Sequence, residues 1–133
     1  MAAQVHIDPR VVRHLRLLSE SGDDLARRLI EAWIAEGARD LDQLQHAVDV
    51  GDLKAVRRLA KVSKRSADNL GATGLASSLV KLGELAASRR VSTADLEIAV
   101  HACWGAFDAS SQTLQALVED EGTQPTVPRV DEA

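Results

Sequence analysis

Aromatic side chains are scarce in this 133-residue chain, which has two Trp, one Phe and no Tyr. Sheet proteins draw their cores from β-branched and aromatic residues. The shortage therefore argues for helices packed through Leu, Val, Ile and Ala. There is one cysteine, Cys103. A lone thiol excludes an intramolecular disulfide and a cysteine-rich zinc site, and it fits a reducing, cytoplasmic setting. Cations are outnumbered, with 16 Lys and Arg against 20 Asp and Glu and a formal net charge of -4. That balance argues against generic nucleic-acid binding, which needs a Lys/Arg excess. No stretch approaches the roughly 20 apolar residues that span a bilayer. Met1 to Arg10 holds no apolar run of signal-peptide length. The expectation is a cytoplasmic protein with no membrane segment and no nucleic-acid partner.

What the chain does have is helical periodicity. Hydrophobic residues make up 45% of it, enough for a real core. Ile7-Asp8-Pro9 suits a helix start, with Asp8 as cap and Pro9 in the first helical position. A short helix to about Ser19 would turn Val11, Val12, Leu15 and Leu18 inward. The second helix, Asp23 to Asp49, carries the stripe Leu25, Leu29, Trp33, Gly37, Leu41, Leu44 and Val48. Gly51-Asp52 ends it and caps the third. The third, Asp52 to Leu70, has a seam of Val56, Ala60, Ser63 and Ala67 between Leu53 and Leu70. Asn69-Leu70-Gly71 is its stop. The fourth, Ala72 to Arg89, buries Leu75, Leu79, Leu82 and Leu85 or Ala86, with Arg89-Arg90 at its negative end. Ser92-Thr93-Ala94-Asp95 is a capping-box signal for the fifth. Its seam runs Leu96, Val100, Cys103, Phe107, Ser110, Leu114, Leu117.

Four long amphipathic helices with short connections read as an all-α, up-down four-helix bundle with a short N-terminal capping helix. The organisation expected is an extension over residues 1–6, the bundle over 7–120, and a disordered tail over 121–133, where two Pro, a Gly and charges show no periodicity.

The third helix also carries Lys54, Arg57, Arg58, Lys61, Lys64 and Arg65 without an acid among them. At about 100° per residue these six share a sector roughly 120° wide, centred near Lys61 and turned away from the apolar seam. Like charges three and four apart cost a few tenths of a kcal/mol each. The stripe has two readings: a docking surface for an acidic partner, or a solvated face partly neutralised by acids on neighbouring helices.

The segment from Arg58 to Ala72 resembles the signature of histidine-phosphotransfer (HPt) domains, roughly A-H-x-L-K-G-S-S-x-N-L-G-A. Ala60, Lys64, Ser66, Asn69, Leu70, Gly71 and Ala72 stand where that pattern puts them. Ile7-Asp8-Pro9 resembles the family's opening helix, and Gly51-Asp52 with Arg57-Arg58-Leu59 its lead-in. The likeness spans about Ile7 to Val118. It implies a bacterial two-component phosphorelay, with a receiver domain or histidine kinase as partner. It also implies that Lys64 would help balance phosphoryl charge and that Ser66 could cap or donate a hydrogen bond; each reads equally well as a solvated helix residue that supports the fold.

Two departures alter that implication. The phosphoacceptor His of the pattern falls on Lys61, and the small Gly one turn later falls on Arg65. A neutral imidazole nitrogen can attack an aspartyl phosphate near neutral pH. A lysine ammonium, with an unperturbed pKa of about 10.4, has no lone pair to offer. Arg65 fills the space through which a receiver would approach, and adds charge. The resemblance therefore implies a pseudo-phosphotransfer protein, not an enzyme: an adaptor or inhibitor that meets an acidic partner through Lys61, Lys64, Arg65, Arg57, Arg58 and Lys54.

Two alternatives stay open. One is an active relay with a displaced histidine, His46 or His101; the other is a scaffold for an unrelated protein. His6 and His14 lie outside any such constellation. Cys103 sits on the apolar seam, as a buried inert thiol would. Trp33 and Trp104 read as core or boundary packing, and Asp40 and Asp42 as a solvated face. No residue spacing resembles a metal site and no Gly-rich loop could cradle phosphate, so neither cofactor nor metal is expected.

Overall fold

The computed structural model describes residues 7–20 and 24–123, without the side chains of 120–123. Five helices follow in order: α1 (Pro9–Glu20), α2 (Leu25–Val50), α3 (Leu53–Asn69), α4 (Thr73–Ala87) and α5 (Thr93–Thr123). The four longer ones close a ring: α2 packs on α3, α3 on α4, α4 on α5, and α5 back on α2. α1 lies across α2 and α5. The chain is thus an all-helical bundle with a short first helix added to one side.

The turns are built from local chemistry. Gly51 adopts the left-handed conformation (φ 76°), and the Gly51 and Asp52 N–H groups return to Val48 and Ala47 carbonyls at 3.1 and 2.9 Å. The Asp52 carboxylate at once accepts from Ala55 N–H at 3.1 Å, so one helix closes and the next opens across two residues, 51–52. Ser92 Oγ accepts from Asp95 N–H at 3.0 Å and caps α5, as its sequence suggests. α4 stops sooner than its pattern implies: Ser88 is extended, and Arg89-Arg90 lie past the last turn. α5 runs on to Thr123, three residues into the stretch read as tail. The extension over 1–6 and the rest of the tail, 124–133, fall outside the described residues.

At the α3–α4 turn, Gly71 is left-handed (φ 68°) and its carbonyl accepts from Asp8 N–H at 2.8 Å. Ile7 forms an isolated antiparallel bridge with Ala72. The lead-in to α1 therefore clasps the far turn of the bundle. Asp8 caps α1 as expected, taking Arg10 N–H at 2.9 Å. The Arg10 guanidinium, 3.0 Å away, holds this carboxyl below its usual range.

The core is aliphatic, with Ile30, Leu41, Leu44, Val56, Leu79, Leu82, Val100 and Leu114 almost wholly buried. The α2 stripe needs one correction. Leu25 and Leu29 are exposed, and Ala26 and Ile30 go inward instead. Both rows keep three- and four-residue spacing to Trp33, so periodicity cannot separate them. Helix packing over the start of α2 selects the second. Farther along, Gly37 makes room for Phe107: a Cβ there would stand 2.5 Å from the ring. Phe107 packs against Trp33 (centroids 5.4 Å apart) and meets Trp104 edge-on (6.2 Å).

The two left-handed glycines separate two costs. Around Gly51 there is open space, whereas a Cβ on Gly71 would lie 2.7 Å from Val11 Cγ2 and 2.9 Å from Asp8 Cβ. Gly51→Ala should cost about 1 kcal/mol, the backbone penalty alone. Gly71→Ala should cost about 2–4 kcal/mol, because overpacking adds to it. Urea unfolding of both variants checks this; equal losses would show that the α1 lead-in yields without penalty.

Candidate functional site

α3 divides its residues cleanly. Its inner face holds Val56, Ala60, Ser63 and Ala67, all buried. Trp33 Nε1 donates to the Ser66 carbonyl at 2.9 Å and ties α3 to α2. On the other side α4 sets Gly83 opposite Ala60, where a Cβ would be in ordinary contact at 3.7 Å from Ala60 Cβ. With its inner face committed, the helix turns its long cationic side chains outward.

Lys54, Arg57, Arg58, Lys61 and Arg65 are exposed, and Lys64 is half-buried. The structure thus brings all six onto the outer side of one helix. The idea of neutralisation by neighbouring helices finds little support. Among the described residues the one acid paired with the stripe is Asp68, on α3 itself, 2.8 Å from Lys64 Nζ. The pair is about half exposed, a setting in which ion pairs add little to stability.

Five of the six cations border a groove of about 720 Å³ between α3 and α4; Arg65 lies outside it. Buried Ala60 and Leu79 with Gly83 form the floor. On the α4 side stand exposed Val80, Glu84 and Ala87. The sequence reading missed this α4 half. Its signal was present: Gly83 interrupts a helix interior at a cost of about 1 kcal/mol relative to Ala, and Val80 falls off the buried row.

Other candidates are placed apart from this groove. His14, His46 and His101 are exposed, and none of them borders it. His6 is outside the described residues. Asp42 is solvated as expected, but Asp40 is half-buried beside a cavity of about 10 Å³ that Trp33, Ser63 and Phe107 also line. Its desolvation, with Glu36 nearby, pushes its carboxyl above the usual range against the pull of Arg39. Ser63 Oγ faces inward with no hydrogen-bond partner. Trp33 is buried and Trp104 half-buried, both against Phe107, so they pack the bundle. Ser66 is held through its backbone carbonyl, not its hydroxyl. Among the described residues no group of His, Cys, Asp and Glu could hold a metal ion, and no helix is long and apolar enough to cross a membrane.

Comparison with family models, curated proteins and solved structures returns no match to this chain. The chemistry of the site rests on its own geometry: a cationic helix face beside a small apolar floor, with Glu84 the one acid among the groove residues.

Cys103 is fully buried, and burial pushes its thiol up to about 12 from 9.0. Thiolate is the reactive form, so the native protein should resist disulfide-exchange reagents at pH 8 and react fully once unfolded in urea. Between pH 9.0 and about 12 the folded thiol keeps a proton that the unfolded one has lost. Stability should therefore fall as pH rises through that window. Cys103→Ala should flatten the slope, and rapid labelling of the native protein would contradict the assignment.

Proposed function

We propose that this chain is a pseudo-phosphotransfer protein that docks a two-component partner, a receiver domain or a histidine kinase, through the outer face of α3 without accepting phosphate. The observation that carries this reading is Lys61. It is exposed, central in the stripe and without a carboxylate partner among the described residues. It also occupies the place where the HPt pattern has its reactive histidine. The order of the helices and the left-handed Gly71 that follows α3 support the reading.

A receiver presents carboxylates around the aspartate it phosphorylates. Lys61, Lys64 and Arg65 would meet that acidic cluster, with Arg57, Arg58 and Lys54 around them. A lysine there forms a static ion pair where a histidine would take up phosphate. Such a protein occupies its partner, as an adaptor or as an inhibitor. Electrostatic matching of this kind gives speed of encounter and choice of partner more than raw affinity. The displaced-histidine reading gains nothing from the geometry, because among the described residues no histidine borders the groove.

The test begins with affinity purification from the source cell and titration of the recovered kinase or receiver. Lys61→Glu/Arg65→Glu should weaken binding about tenfold or more at low salt and make its salt dependence shallower. Lys61→His/Arg65→Gly should bind and take label from a phosphorylated receiver, whereas the parent chain should take none. Unchanged affinity in the first variant, or label on the parent chain, would sink the reading.

A further inference from the structure

We propose that the α3/α4 groove receives a helix of the partner: an amphipathic helix whose apolar face lies on the floor and whose acidic flank faces α3. This deepens the docking role of the stripe and rests on that reading.

The two sides of the groove are unlike. From Lys54 to Lys64 the cations run along α3 for about 15 Å, at 1.5 Å of rise per residue. Acids three and four residues apart on an incoming helix repeat over the same distance. Between the cations and α4 lies the apolar floor of Ala60, Leu79 and Gly83, continued upward by Val80, which is 38% exposed. Ala60 and Leu79 are themselves buried, so the apolar surface that water reaches in the free protein is Val80 and Ala87 above them, and covering it with an apolar helix face is favourable. Gly83 supplies no side chain between Val80 and Ala87, three residues after one and four before the other, so an incoming apolar side chain can lie against both.

The same asymmetry argues against other occupants. A small anion needs converging donors, and these cations are strung out in a row. A nucleic-acid strand would lay its phosphates in the groove, against the apolar floor and beside Glu84 on the α4 side. Glu84 also disfavours an acid on that flank of a bound helix, which restricts the negative charge to the α3 side.

The test uses the full chain and a fluorescein-labelled designed peptide of about 18 residues, long enough to form helix. Leu occupies one face, Glu one flank and Gln and Ala the rest; a scramble of the same composition has no apolar face. Fluorescence anisotropy should show the amphipathic peptide binding about tenfold more tightly than the scramble. Lys61→Glu should weaken it about tenfold. Val80→Gln/Ala87→Gln, at two exposed positions that the fold tolerates, should weaken it about fivefold. Arg65→Glu, outside the groove, should leave it within about twofold while still weakening a receiver. Equal binding of both peptides, or indifference to the Val80/Ala87 change, would overturn the groove proposal, even if a receiver binds. Tighter binding of a single-stranded oligonucleotide than of the peptide would overturn it as well. Failure of every two-component protein to bind, with the peptide results intact, would instead remove the pseudo-phosphotransfer reading alone.

Discussion

The bundle depends on how α3 is held, because its inner face is made of small residues. Val56, Ala60, Ser63 and Ala67 offer little area to bury, so beyond the partly buried Leu53, Leu59 and Leu70 the helix gains contact by approaching its neighbours closely. Its neighbours meet it in two unlike ways. On α4, Gly83 lies opposite Ala60 with room for one methyl group between them. On α2, Trp33 reaches across to the Ser66 carbonyl, and Phe107, admitted by Gly37, fills the space behind it. A buried tryptophan with its N–H satisfied contributes both area and direction.

This arrangement also creates the site. A helix drawn in by small residues stays close to α4, and a narrow floor of Ala60, Leu79 and Gly83 opens beside it. The long side chains of the same helix cannot share that inner face without burying charge, which is costly. They line the groove's outer edge in a row instead. Mutual repulsion along α3 is a local cost that the packing of the other face offsets. An acidic protein that keeps six cations on one helix, with a single acid paired to them among the described residues, concentrates its positive potential on that face.

Much of this was legible in the residues. The Asp8-Pro9 start, the Gly51-Asp52 and Gly71 turns, and the α5 row from Leu96 to Leu114 are local signals, and each stands where its pattern placed it. The cationic sector of α3 follows from helical geometry alone. The errors have local causes too. Leu25 and Leu29 competed with Ala26 and Ile30 on equal spacing. Arg89-Arg90 resembled a basic helix end, yet the helix had stopped at Ala87. Asp40, read as solvated, is half-buried beside Ser63 and Phe107.

By itself the sequence determined the helices, most of their ends, and the presence of an exposed cationic face with lysine at position 61. Those properties depend on turn chemistry and on a period of 3.6 residues, which act over a few residues at a time. Tertiary structure alone decided which row of α2 faces inward, that the α1 lead-in reaches Gly71, and that α4 lends Leu79, Val80 and Gly83 to the groove. These pairings join residues far apart in the chain. No local pattern records them, because the close approach of one helix to another is set by the sizes of side chains on both.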